Sequence, residues 1–175
     1  MGNEEYRLRD LVSDLEELLK LEPLTSDDTL NNVILTPELI QPGLALSGYF
    51  EHFYPDRIQV LSKMEVSYIK NTSLKKLKEV VAFCKDFNIP CFVLTGGFTI
   101  SMRVRKVFND NGICLLNSTS DIDRTVSILS SFLHDKFAES VSIHGVLMDV
   151  YNVGILILGE SGICLLYTSD AADEG

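Results

Sequence analysis

Positive charge is scarce in this 175-residue chain: 15 lysines and arginines stand against 25 acids, a formal net charge of -10. Such an excess repels phosphate backbones and anionic lipid, so neither nucleic acid nor a membrane surface is expected as a partner unless a locally basic patch overrides it. Removing Cys164–Gly175, which holds Asp170, Asp173 and Glu174 and no base, leaves the acidic excess in place. A long apolar run is also lacking. The most hydrophobic stretch, Ile143 to Leu166, is interrupted by Asp149, Asn152 and Glu160, too often for a membrane span. The amino terminus, Met1 to Tyr6, is polar and acidic and has no signal-peptide pattern, and Tyr6 stands where myristoylation wants Ser or Thr. The four cysteines, Cys84, Cys91, Cys114 and Cys164, form no CxxC pair and no metal-ligand spacing. They read as buried free thiols in a reducing cytoplasm.

What is present is a globular composition, 46% hydrophobic and 23% charged. Leu8, Leu11, Val12, Leu15, Leu18 and Leu19 recur at helical spacing up to a limit at Pro23. Short apolar stretches follow at Val33–Leu35 and Ile58–Leu61. Leu74, Leu77, Val81, Cys84 and Phe87 mark a second helix, opened by Ser73 and closed before Pro90. Cys91–Leu94 reads as a buried strand left through a Gly96-Gly97 turn. Ile100, Val104, Val107 and Phe108 then suggest a helix ended by Asn111-Gly112, and Ile113–Leu116 another strand. Ser120 with Asp123 resembles a capping box for a helix through Ile122, Val126, Leu129 and Leu133. Alternating strands and helices predict an α/β domain with a central, partly parallel sheet flanked by helices.

Beyond about Ala138 the texture changes. Ile143–Val150 and Val153–Leu158 read as a hairpin round Tyr151-Asn152, where Asn152 tolerates a left-handed backbone. A domain boundary is expected between residues 138 and 142. The run Gly112-Ile113-Cys114-Leu115-Leu116 recurs verbatim at Gly162 to Leu166 without any surrounding repeat unit, and chance accounts for it.

Chemistry is concentrated near the hairpin. Gly159-Glu160-Ser161-Gly162-Ile163 follows an apolar strand, where a phosphate-binding loop would begin. The full pattern, G-x-x-x-x-G-K-[ST], needs glycines to bring backbone N–H groups round the phosphates, a lysine to neutralise them and a hydroxyl for Mg²⁺. Here Cys164, Leu165 and Leu166 occupy the second Gly, Lys and Ser positions. On pattern alone a plain hairpin turn serves as well. His144 starts the preceding strand. Alternation puts it on one face with Val146, Met148 and Val150, opposite Leu147 and Asp149. It is either a polar rim residue or an acid/base group beside a transferred phosphate. His52 and His134 read as surface or turn residues. Asp149 and Glu160 lack a second carboxylate at useful spacing, and Gly-Glu-Ser-Gly is one residue short of a hydrolase elbow.

Several segments together resemble the HPr kinase/phosphorylase family: Gln41 to Phe50, Pro55 to Leu61, Glu65-Val66-Ser67-Tyr68, Ile89-Pro90-Cys91, Asn111-Gly112-Ile113, and above all His144 to Tyr151 leading into Gly159 to Ile163. The resemblance runs nearly continuously from about residue 6 to 163. It implies an amino-terminal α/β domain over 1–138, then over 139–163 the first β-hairpin of a P-loop-containing kinase domain. It further implies a hexameric, Mg²⁺-dependent, bifunctional enzyme of carbon-catabolite control. Such an enzyme phosphorylates a serine of the phosphocarrier HPr with ATP or pyrophosphate, and reverses the step with inorganic phosphate. His144 matches the family's active-site histidine, and Gly159, Glu160, Ser161, Gly162 and Ile163 the first five positions of its nucleotide loop.

The departures are Gln41 for a commonly basic residue, Asn152 for a glycine, and everything from Cys164 onward. Residues 164–175 match nothing in the family and read as translated adapter sequence, so the chain is expected to be a fragment that binds no cofactor and is inactive. The alternative is a freestanding, non-catalytic α/β module that binds a ligand or a protein.

Overall fold

A computed structural model describes residues 5–138, 145–151 and 153–158. The helices begin where side chains can satisfy their free N–H groups. Ser62 accepts from the Met64 amide at 3.1 Å while Glu65 accepts from the Ser62 amide at 2.9 Å, a closed capping box that starts helix α4, Lys63–Asn71. Ser73 caps α5, Leu74–Lys85, and Ser101 caps α6, Met102–Asp110. Asp121 caps α7, Ile122–Phe137, accepting from Arg124 at 2.9 Å. The cap is thus Asp121 rather than Ser120, because the Ser120 carbonyl is committed to the Gly96 amide in the neighbouring loop.

The amino-terminal apolar repeat forms two short helices, α1 (Leu8–Asp14) and α2 (Glu16–Leu19), separated at Leu15. Strand β1 (Glu22–Pro23), a 3-10 turn at Asp27–Asn31, strand β2 (Leu39–Ile40) and helix α3 (Gly43–Leu46) follow. Val33 makes only an isolated bridge to Arg7 rather than a strand. The sheet is completed by β3 (Ile58–Leu61), β4 (Cys91–Leu94) and β5 (Cys114–Asn117), in the order β1-β5-β4-β3-β2. β2 through β5 are parallel, and only β1 runs antiparallel, against β5. The fold is therefore the α/β architecture with a partly parallel, helix-flanked sheet.

The alternation of the strands splits the core in two. Leu61, Phe92, Leu94 and Leu115 face α4, α5 and α6, and Phe92 meets Phe108 edge-on at 5.4 Å. Ile58, Val60, Cys91, Val93, Cys114 and Leu116 face α1, α2 and α7. A strand buried on both faces needs no polar alternation, which is why β4 reads as a continuous apolar run and β3 and β5 depart from one only at Gln59 and Asn117.

The chain divides after Ala138 into two compact units. In the second, β6 (Gly145–Val150) and β7 (Val153–Leu158) pair antiparallel in unbroken register from Gly145↔Leu158 to Val150↔Val153. At the turn Tyr151 is left-handed, with φ of 54°, and Asn152 lies outside the described residues.

Candidate functional site

The residues singled out from the sequence, His144, Gly159 to Ile163 and Leu166, lie outside the described residues, as do Glu160 and Asn152. What the structure describes is the hairpin between them. Gly145 must be small: a β-carbon there would lie 2.8 Å from the Ile157 carbonyl oxygen and 3.0 Å from the Leu158 side chain. Asp149 is exposed and pairs in register with Gly154.

In the first unit, the carboxyl ends of the parallel strands are where an open α/β sheet most often holds a ligand. Here that edge is closed on itself. Thr95 donates to the Leu61 carbonyl at 3.0 Å, and the Gly96 and Gly97 amides bond Ser120 and Ser118 carbonyls at 2.6 and 2.8 Å. The Ser118 hydroxyl donates to the Leu19 carbonyl at 3.0 Å. Gly96 and Gly97, at φ of 83° and 65°, supply the backbone these turns require. The edge locks loops together and leaves few groups free for a substrate.

The opposite edge carries a half-open cleft of about 460 Å³, lined among others by Asn31, Asn32, Lys85, Phe87, Asn88 and Asn111. Two of these amides already serve the fold. Asn32 donates to the Pro90 and Gly112 carbonyls at 3.1 and 3.3 Å, and Asn111 to the Val107 carbonyl at 2.8 Å. Nothing in the sequence marks this cleft, since isolated asparagines are also ordinary turn residues.

Nucleophilic and metal chemistry find little support among the described residues. Cys84, Cys91 and Cys114 are buried free thiols, as expected. Burial pushes Cys84 up to about 11 and raises Cys91 and Cys114, so these thiols stay protonated and unreactive near neutrality. Among the described residues no group of three or more His, Cys, Asp or Glu could hold a metal ion. His52 sits in an exposed turn at φ of 58°, and His134 is exposed on α7 with Nδ1 2.8 Å from the Ser130 carbonyl. No described helix is long and apolar enough to cross a membrane.

Residues 7–133, most of the first unit, match the family described as HPr Serine kinase N terminus. This chain belongs to that family. HPr kinase/phosphorylase of Bacillus pumilus is 32% identical over 153 residues, covering 87% of this chain and 49% of the relative. That of Geobacter sulfurreducens is 35% identical over 164 residues, covering 93% and 51%. The chain thus spans about half the length of the curated HPr kinase/phosphorylases it matches. A looser likeness, TM-score 0.48 at 12% identity over 68% of this chain and 45% of the other, is to the CBS and DRTGG domains of the regulatory region of Clostridium perfringens pyrophosphatase. A likeness that loose transfers nothing to this chain.

Proposed function

We propose that this chain is the amino-terminal part of a cytoplasmic, bifunctional HPr kinase/phosphorylase of carbon-catabolite control. The parent enzyme would phosphorylate a serine of HPr with ATP or pyrophosphate, remove it with inorganic phosphate, and assemble as a homo-hexamer. The observation that carries this reading is the family match over residues 7–133, in one chain with the His144-to-Ile163 motif.

In the active site of such an enzyme, backbone N–H groups of Gly159 to Ile163 would cradle phosphate, and His144 would hold or move a proton beside it. The hairpin register supports grouping these residues: the paired Gly145 and Leu158 are the chain neighbours of His144 and Gly159. Mg²⁺ and ATP do not fit the donor set of this chain, because Leu165 offers no charge for a phosphate and Leu166 no metal ligand. The 175 residues as they stand are therefore expected to be inactive.

Incubated with HPr, ATP and Mg²⁺, the chain should form no phosphoserine, and calorimetry should find ATP binding no tighter than about 1 mM. Phosphoserine on HPr would overturn the inactivity. Joining residues 1–163 to the second half of the Geobacter sulfurreducens relative should restore the kinase. A chimera that folds and binds ATP yet leaves HPr untouched would favour the second reading, a binding module. That reading draws support from the family match, which lies wholly within the first unit.

A further inference from the structure

Charge and apolar exposure are both segregated across the five-stranded sheet. Nine of the chain's 15 lysines and arginines, but only four of its 25 acids, fall between Lys63 and Asp110, the stretch that builds α4, β4, α5 and α6. On α5 the cations Lys75, Lys78 and Lys85 are exposed, and on the adjacent α6 so are Arg103 and Lys106. Eight of the ten large hydrophobic residues exposed among the described part of the first unit lie on the same layer, between Leu44 and Met102. Among them Phe83 and Phe87, 43% and 36% exposed, pack tilted or edge-on with Phe50 and Phe53 at ring separations of 4.0 to 6.2 Å. Exposed aromatics on a layer rich in cations, with the acids Glu79 and Asp86 beside Phe83, form a desolvatable patch bordered by charge, as protein-binding surfaces do.

The other side of the sheet is the complement. α1 and α2 carry four exposed acids, Asp10, Asp14, Glu16 and Glu17, against one base, Arg9, and the 3-10 turn beside α1 adds the exposed Asp27 and Asp28. Leu18, 52% exposed, stands among Asp14, Glu16 and Glu17. We propose that the α5–α6 face docks on the α1–α2 face of a second copy of this chain, Phe83 and Phe87 meeting Leu18 while the lysines and arginines of α5 and α6 meet the acids of α1 and α2. Basic face to acidic face is a head-to-tail contact, so each copy uses two different surfaces.

This contact does not depend on the kinase reading. Its test uses two variants of the 175-residue chain whose changes all lie on exposed side chains. One is K75E/K78E/K106E, with the basic face reversed; the other is E16K/E17K/D28K, with the acidic face reversed. By sedimentation velocity at low salt the wild type should self-associate, and the association should weaken at least tenfold in 0.5 M NaCl, since opposite charges are screened. Each variant alone should be monomeric. Mixed in equal amounts they should associate again, because the intact acidic face of one meets the intact basic face of the other, and the two reversed faces are complementary as well. Circular dichroism confirms that both variants are folded before mixing. A wild type monomeric at 0.5 mM in low salt would overturn the proposal, as would association that strengthens with salt, the signature of the exposed hairpin instead. A mixture that stays monomeric would overturn it too.

Discussion

Strand β4, Cys91–Leu94, and strand β7, Val153–Leu158, are both runs without a polar or charged side chain and end in leucine. Every residue of β4 is buried, whereas five of six in β7 are exposed. The difference lies in what covers them. β4 has a parallel neighbour on each side and a helical layer on each face, so both its polar backbone and its side chains are removed from water together. Among the described residues β7 has one partner, β6, and Leu147, Val153, Leu156 and Leu158 remain 52 to 74% exposed on the hairpin they share. A two-stranded hairpin without a covering layer is marginal in water and offers open edges to other chains. An apolar run states a demand for cover; it does not supply the cover.

The sharpest way to break this comparison is to truncate matched side chains in the two units. Phe108→Ala should cost the first unit about 3–5 kcal/mol, because a fully buried ring leaves a cavity under Phe92. Leu156→Ala should cost less than about 0.5 kcal/mol, read from the urea midpoint by far-ultraviolet circular dichroism. Equal losses would mean that the hairpin is as well covered as the core.

Gly145→Val tests the hairpin alone. The new side chain must displace the Ile157 carbonyl, and about 1–3 kcal/mol of overpacking should open the hairpin at the Gly145–Leu158 end. Amide exchange should rise in residues 145–158 and stay unchanged in β3 to β5.

Smaller effects separate neighbours in one loop. Asp121→Ala should lose about 1 kcal/mol as the cap of α7, whereas Ser120→Ala should be nearly silent. The reverse order would restore the sequence-based cap.

The last expected effect is a pH slope, confined to alkaline conditions. Burial raises the Cys84 thiol to about 11, so the folded state holds this proton more tightly than the unfolded chain does. Its contribution is complete below the ordinary thiol pKa of about 8.5 and is lost as pH rises to about 11. Cys84→Ala should flatten the fall in urea midpoint over that window. The buried Cys91 and Cys114, raised in the same direction, and Tyr6, raised by burial and by its bond to Asp14, leave a residual slope.

Elements with a long repeat were legible, and short ones were not. Cys91–Leu94 and the helix through Leu129 and Leu133 follow directly from their spacing. β1 and β2 are two residues each, too short for any period, and exist only because β5 and β3 offer edges to pair with. Helix α4 did leave a signal, Ser62 three residues before Glu65, weaker than the apolar stripes around it. Of the candidate site, the sequence supplied the residues, His144 and Gly159 to Ile163, while the fold contributes only the register of the hairpin that joins them.

The sequence by itself determined which segments are apolar, where the helices can be capped, and that the acids outnumber the bases. It also carried the family, because a motif is a property of linear order. Only the tertiary structure decided that nine of the scarce cations share a layer with most of the first unit's exposed aromatic and aliphatic side chains, opposite the exposed acids of α1 and α2. Strand alternation and crossover connections assign each helix to one side of a sheet, and net charge, being a sum over the chain, cannot record that assignment.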